Sequence, residues 1–344
     1  MSAANMKPTA GMTPAEPGSV HPPPAKAEIR RSLGQIAVTV PLYLGLWTCM
    51  YFSLTVSYAL TLALAIPAAG LVVRIFIFQH DCGHGSFFRD RWANDLLGRV
   101  CSLFTLTPYA IWRHQHAQHH ANWNNLDRRQ SGLDIYSTCL TIAEYQRLRP
   151  ARRLVYRLSQ HPVVALLILP PLIFFFLYRV PFDTPPRWKK ERRGVHLTNL
   201  ALVAAYGSLG LLIGFWQVLL IQVPVSSLAA IVGVWLFSVQ HKFENTLWLH
   251  GPEWNATDAA LRGSSYLRLP RVLQWFTGNI GFHHVHHFDP RIPNYHLQEQ
   301  HNRTPAFQQA PMLSLWAALR AYRYCLWDEG QRKMVPIPKG AVPA

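Results

Sequence analysis

The sequence predicts an all-α integral membrane protein: four transmembrane helices in two hairpins, with a cytoplasmic helical cap that holds a histidine-rich metal site. Three observations predict this fold. Long apolar runs occur in two pairs, basic residues flank those runs, and histidines cluster just beyond their ends. Half of the 344 residues are hydrophobic and 15% are charged, against about 25% charged in an average soluble domain.

The charge balance is strongly basic, with 33 Lys and Arg against 17 Asp and Glu and a formal net charge of +16. Because the basic residues border apolar runs, they favour a membrane surface as partner. They lack the interleaved aromatic residues of a nucleic-acid module, so no nucleic acid partner is expected. The five cysteines are scattered without a C-x-x-C pair, which argues against a disulfide framework.

The first predicted hairpin consists of apolar runs at about 36–53 and 58–78, joined by a short link. Each run approaches the roughly 20 residues that cross a bilayer. Arg30 and Arg31 precede the first run, so the positive-inside rule places the N-terminus in the cytoplasm. Residues 1–30, rich in Pro, Ala and Gly, are predicted to form a disordered cytoplasmic tail.

The middle of the chain contains two apolar patches that are not predicted to span. The patch from Leu96 to Tyr109 is short and carries Arg99, which favours an interfacial helix. The segment 162–180 contains Pro170 and Pro171, and basic residues border it on both sides. Since a proline pair breaks a helix and both ends favour the cytoplasm, we expect a re-entrant or surface-lying hairpin.

The second predicted hairpin consists of runs at about 197–221 and 225–240, with Pro224 at the turn. It returns the chain to the cytoplasm at His241. The membrane domain is therefore expected to cover 31–305, and residues 306–344 are expected to form a cytoplasmic C-terminal tail.

The histidines are the most informative feature of the sequence. Three boxes place them at i and i+4 or at i, i+3 and i+4, positions that share one face of an α-helix. Eight imidazoles are too many for one metal but suit two metals with open positions, and imidazole binds Zn, Fe, Cu and Ni. His241, at the end of the last predicted span, is a ninth candidate. The eight box residues are His80, His84, His116, His119, His120, His283, His286 and His287.

Other polar residues are given supporting or purely structural interpretations. Asp81 lies between two candidate ligands, where its carboxylate either accepts an imidazole N–H or is a plain surface group. His284 lies about 100° from His283 on a helix, which favours a role behind the ligands. An interfacial aromatic belt is the favoured interpretation for Trp112, Trp123, Trp248 and Trp275. His114, two residues before His116, is expected to lie either behind the ligands or at the surface. Isolated histidines are read as surface, membrane-edge or core residues: His21, His161, His196, His250, His296 and His301.

Several chemistries are disfavoured by missing motifs. The sequence has no Glu-x-x-His, no H-E-x-x-H, no P-loop and no dinucleotide fingerprint. Electrons for any redox reaction must therefore come from another protein. A membrane metal transporter would carry ionisable residues inside its spans, whereas these spans are nearly uncharged apart from Arg74.

The three boxes, H-D-C-G-H (80–84), W-R-H-Q-H-A-Q-H-H (112–120) and G-N-I-G-F-H-H-V-H-H (278–287), resemble the membrane fatty acid desaturase family over about residues 35–305. This resemblance implies two iron ions, O2 as co-substrate and a fatty acyl lipid, acyl-CoA or acyl-carrier substrate. It also implies an external ferredoxin or cytochrome b5-type electron donor and the nine histidines named above as iron ligands. In related enzymes an Asn one turn before the ligand at His241 can hold a water, but Phe237 stands there.

The wording of the boxes looks most like bacterial acyl-lipid desaturases of the Δ12 (ω6) kind, which form a cis double bond in the inner membrane. A hydroxylase or ketolase of the same superfamily, acting on a carotenoid, sterol or alkane, is the alternative. It would use the same site but insert oxygen.

Overall fold

The computed structural model describes residues 20, 22–23, 25–129, 136, 138–182 and 184–338. Four of its helices, α1, α2, α8 and α9, are long and apolar enough to cross a membrane. In chain order the α-helices are α1 Ile29–Ser53, α2 Tyr58–His84, α3 Arg91–Thr105, α4 Tyr109–Asn122, α5 Ile142–Arg147, α6 Pro150–Ser159, α7 Leu169–Phe175, α8 Lys189–Ile213, α9 Phe215–Val239, α10 Ala256–Gly263, α11 Arg271–Phe276, α12 His283–Phe288, α13 Leu297–Arg303 and α14 Leu315–Arg320.

Five short strands accompany these helices within the described residues, so the fold is mostly helical rather than all-α. A three-stranded sheet has the order β1-β4-β5, and a two-stranded sheet pairs β2 with β3. The strands are β1 Leu140–Thr141, β2 Tyr266–Arg268, β3 Met312–Ser314, β4 Leu326–Asp328 and β5 Lys333–Val335. Short 3-10 helices occur at Leu177–Arg179, Asn294–His296, Pro305–Gln309 and Ala321–Arg323, and a π-helical turn at Val163–Ile168.

The long helices pack around α2, which contacts α1, α3 and α9, while α8 packs against α9. Small residues such as Ala65 and Ala68 are fully buried on α2 and let the helices approach closely. By contrast, Leu211 and Leu212 on α8 are each 80% exposed. Such an apolar outer surface is what a helix in contact with lipid requires.

The break between the last two long helices differs from the prediction. It falls at Gly214, whose φ is 98°, a conformation that favours glycine. Pro224 lies inside α9, and Pro41 and Pro67 likewise lie inside α1 and α2. Prolines are tolerated in membrane helices because neighbouring groups satisfy the freed backbone, so Pro224 did not mark the turn.

Helix lengths explain how the membrane part meets the histidines. α2 has 27 residues and is therefore about 40 Å long, which exceeds the roughly 30 Å hydrocarbon core of a bilayer. Its last turns, which carry His80 and His84, extend beyond the predicted span of 58–78. A single helix thus joins the apolar region to the first histidine box.

The segment 162–180 is a broken helix. α6 and the helical turns at 163–179 are bent by 63° at a short break, and Pro170 and Pro171 occupy the first turn of α7. That position needs no backbone donor. The bend fits either a broken span or a re-entrant segment, so the re-entrant hairpin stays a prediction.

The described parts of both predicted tails, which stay predictions as domain boundaries, pack against the rest of the protein. At the start of the chain, Ala27 is buried and the Glu28 N–H donates to the Tyr295 hydroxyl at 2.8 Å. Beyond residue 305, Phe307 and Leu326 have no exposed surface. Residues 306–338 therefore complete the core rather than trail from it, because their short strands pair with distant segments such as β1.

Candidate metal centre

Four segments bring the candidate ligands together. The last turns of α2 supply His80 and His84, and α4 supplies His116, His119 and His120. The turn after α9 supplies His241, and the short helix α12 supplies His283, His286 and His287. The helical spacing predicted for the second and third boxes is confirmed, since α4 and α12 are both α-helices.

The nine imidazoles form two adjacent groups. The potential ligand nitrogens of the first group lie within 4.8 Å of one another, and so do those of a second group of three. A fourth member joins the second group, since His283 Nε2 lies 2.9 Å from His241 Nε2. The first group is His80, His84, His116, His120 and His286, and the second is His119, His241, His287 and His283.

The nitrogen contacts fit metal binding better than hydrogen bonding. His241 Nε2 lies 2.9 Å from His283 Nε2 and 3.2 Å from His119 Nε2, while His119 Nε2 is also 3.3 Å from His287 Nε2. Each Nε2 offers one N–H or one lone pair, so neither His241 nor His119 can make good hydrogen bonds to both of its neighbours at once. Two nitrogens bound at about 2.1 Å to one ion and at right angles would lie roughly 3 Å apart, which matches these separations.

An unpaired buried atom supports the same conclusion for the first group. His84 Nε2 is buried and has no hydrogen-bond partner among the described residues. Because a buried polar atom without a partner costs free energy, a bound cation is the natural partner. Donor chemistry and geometry therefore both fit two metal ions.

Electrostatics favours the neutral form of five of the candidate ligands. Burial lowers the pKa of His116, His120 and His241 well below 6.5, and neighbouring imidazoles lower it further. The same causes lower the pKa of His286 and His287. A ligand histidine must be neutral to bind metal, so the site is ready for metal at neutral pH.

Asp81 lies behind the first group rather than on the surface, since it is only 2% exposed. Its Oδ1 lies 3.1 Å from His80 Nδ1. Its Oδ2 accepts hydrogen bonds from the Asn294 backbone N–H at 2.8 Å and from Asn294 Nδ2 at 2.9 Å. This carboxylate orients one candidate ligand, as carboxylates often do behind metal-bound histidines.

His284 is buried, and its Nε2 lies 3.0 Å from His301 Nδ1. His301 is thus a partner of His284 rather than an isolated residue. Outside both groups, His114 stacks on Trp188 with ring centroids 3.7 Å apart. His250 is exposed and contacts Asp127, as expected of a surface histidine, and His21 lies outside the described residues.

Aromatic side chains against the cluster are the main feature that sequence reasoning missed. Trp112 and Trp123 are buried, not interfacial. Trp112 stacks on His116 with centroids 4.7 Å apart, and Trp123 lies 4.0 Å from His241. Each tryptophan is four residues from a ligand of the second box, so helical phase was the available signal. Phe237 contacts His119 and His241.

An apolar cavity of about 210 Å³ opens onto the cluster. His80, His116, His119 and His283 form part of its wall. The other lining residues are predominantly apolar and come mainly from α2, α3, α4, α9 and the segment 173–182. They include Val72, Phe76, Phe104, Ile173, Phe174, Ala230 and Val234. A narrow apolar space beside a metal site can hold a hydrocarbon chain away from water.

Comparison with known proteins identifies relatives of this chain. The fatty acid desaturase family model matches residues 55–316. A fatty acid desaturase of Bacillus subtilis is 42% identical over 90% of this chain and 87% of its own length. An sn-1 acyl-lipid omega-3 desaturase (ferredoxin) of Nostoc is 30% identical over 65% of this chain and 61% of its own. An sn-1 oleoyl-lipid 12-desaturase of Synechocystis is 26% identical over 80% and 74%.

Proposed function

We propose, since the chain belongs to the fatty acid desaturase family of oxidoreductases, that it introduces a cis double bond into the acyl chain of a membrane lipid. One observation supports this most directly. Two groups of largely buried imidazoles stand at the wall of an apolar cavity. A hydrocarbon substrate and a redox metal pair would meet there.

The nine histidines are proposed to hold two iron ions, five on one ion and four on the other. Iron bound there would supply the O2-dependent oxidation of an unactivated C–H bond, which side chains alone cannot perform. Asp81 fixes the ring orientation of His80 through the contact at 3.1 Å. Trp112 and Trp123 hold rings of both groups from behind by close aromatic contact.

The cavity is proposed to position the substrate. Its walls exclude water and restrict an acyl chain to a few conformations, which holds one C–H bond near the metal pair. Since Phe237 is apolar and contacts His119 and His241, it shields the second group from water on the α9 side.

We further propose that the four long helices cross the membrane as two hairpins, with the metal site and both termini in the cytoplasm of a bacterial inner membrane. The start of α1 contacts the site region, because Ser32 Oγ donates to the Phe87 carbonyl at 2.6 Å. The start of α8 also contacts the site region, because Glu191 contacts His114 on α4. Basic residues at these ends, including Arg30, Arg31, Lys189 and Lys190, satisfy the positive-inside rule.

The electron donor is proposed to be a separate ferredoxin or cytochrome b5-type protein. The name of the Nostoc relative includes ferredoxin, and the net charge of +16 suits an acidic partner. The Δ12 position stays a prediction; the Synechocystis 12-desaturase supports it, whereas the Nostoc relative is named for a different position.

The test is expression of the full chain in a host that makes no polyunsaturated lipids, followed by mass spectrometry of its membrane fatty acids. We expect a new double bond in cells with the wild-type protein and none with His119→Ala. His250→Ala, which removes an exposed histidine, should behave as wild type. An oxygenated acyl chain instead of a double bond would favour the hydroxylase alternative and contradict the proposal.

A further inference from the structure

The apolar cavity extends far from the metal site along α9. Gln240 lines it beside His241, and Ser226 lines it near the middle of α9. These residues are fourteen positions apart, which corresponds to about 21 Å at 1.5 Å per residue. Ala230, Gly233, Val234 and Phe237 line the cavity between them, so one face of α9 forms a continuous apolar wall.

A buried polar network fixes the far end. Gln222 Nε2 donates to Ser226 Oγ at 2.8 Å. Gln222 Oε1 accepts from the Tyr43 hydroxyl at 3.3 Å and from Trp47 Nε1 at 3.2 Å. Tyr43 also packs edge-to-face against Phe104, with ring centroids 5.5 Å apart, and Phe104 lines the cavity as well. Two lining residues are thus held by one network that joins α1, α3 and α9.

Polar contacts between membrane helices often serve only to hold the helices together. Here the network ends on Ser226, which lines the cavity and can contact a bound acyl chain. Polar residues within spans are costly and frequently functional, and this network needs no ligand for its own hydrogen bonds. It is therefore suited to be a rigid stop rather than a polar binding site.

We propose that the Ser226 network is the floor of the acyl cavity and sets the longest chain the enzyme accepts; this inference rests on the proposed desaturase function. The methyl end of the acyl chain contacts this floor, because burying the polar head of the lipid there would cost free energy. With C–C bonds of about 1.5 Å, an extended chain advances roughly 1.3 Å per carbon. The depth then holds at most about 16 carbons beyond the metal site.

This depth also bears on the position of the double bond. A Δ12 double bond in an 18-carbon chain leaves about six carbons on the methyl side, or roughly 8 Å. Such a chain would end near Gly233, about 10 Å along α9 from Gln240, and would not reach Ser226. If the methyl end of an acyl chain reaches Ser226, the carbons at the metal site are nearer to the polar head than carbons 12 and 13 are.

The test compares Ser226→Leu with Ser227→Leu in the full-length protein. Ser227 is the neighbouring serine on the same helix and does not line the cavity. Host cells are fed saturated fatty acids of 14, 16 and 18 carbons, and mass spectrometry gives the fraction of each that is desaturated. We expect Ser226→Leu to lower conversion of the longest chain relative to the shortest by about tenfold, since one methylene in an apolar pocket changes specificity by at least that much. Ser227→Leu should keep the wild-type profile.

Two further variants protect the test against a folding defect. Ser226→Ala removes the contact with Gln222 and enlarges the cavity, so it should raise conversion of the longest chain. Gly233→Leu should exclude more of the longer chains than Ser226→Leu does, since a Cβ at Gly233 meets no atom within 4 Å. If the wild-type protein is active and the Ser226 variants have the same chain-length profile as wild type, Ser226 is not the floor of the cavity. A wild type that forms no double bond would overturn the proposed function and the floor with it.

Discussion

Replacement of Asp81 by Asn tests how the protein holds its metal. Asp81 lies between the two ligands of the first box, and its buried carboxylate contacts one of them, His80. Its two oxygens serve three groups: His80 Nδ1 and two nitrogens of Asn294. An Asn side chain keeps one acceptor oxygen and turns an NH2 group towards a nitrogen donor.

The size of the effect follows from this loss. Hydrogen bonds to charged groups contribute about 1.5–3 kcal/mol each, and one such bond is lost outright. Removing a carboxylate behind a metal-bound histidine typically lowers metal affinity by about 10–100-fold, which corresponds to roughly 1.4–2.7 kcal/mol. The two estimates agree, so we expect iron affinity in Asp81→Asn to fall by one to two orders of magnitude.

The assay is iron retention during dialysis of the purified protein against increasing concentrations of a chelator. Asp81→Asn should lose half its iron at a chelator concentration about 10–100-fold lower than wild type. Asp90→Asn, which changes an exposed acid nearby, is the matched control and should follow the wild-type curve. Equal curves for Asp81→Asn and Asp90→Asn, with both proteins folded, would refute the reasoning.

Three further predictions concern the ligands, the pH and the C-terminal segment. His241→Ala should retain less iron than wild type whereas His250→Ala should retain as much, and equal iron contents of the two variants would count against the ligand assignment. The metal-free protein should lose thermal stability as the pH falls below about 6.5. The histidines of the unfolded chain then bind protons, whereas the buried imidazoles of the folded protein, whose pKa values are lowered, do not bind them. Melting temperatures that stay the same from pH 8 to 4.5 would contradict this. Deletion of residues 306–344 should prevent stable folding, because Trp327 is buried in the core; a soluble, iron-loaded truncated protein in detergent would contradict it.

The boxes were predictable because their spacing is local. Within one helix the phase of His116, His119 and His120 follows from the 3.6-residue repeat, and α4 confirms it. It was not predictable that His116 and His120 join the first group and His119 the second. That assignment depends on how α4 packs against α12 and the end of α9. The contact of Asp81 with Asn294 likewise joins residues far apart in the sequence.

The boundaries that were missed have two physical causes. Hydropathy is continuous across the last two helices, so the pattern shows that two spans exist but not where they divide. Pro224 carried the stronger breaker signal, yet Gly214 adopts the positive φ. The strands of the C-terminal segment have three residues each, which is too short for a two-residue alternation to be recognised.

The central claim is that nine histidines hold two iron ions, and metal content tests it most directly. The full-length protein would be purified in detergent after expression with iron, and metals and protein would be quantified independently by mass spectrometry and amino-acid analysis. We expect two iron ions per chain. A single metal ion per chain, or zinc in both positions in catalytically active protein, would contradict it.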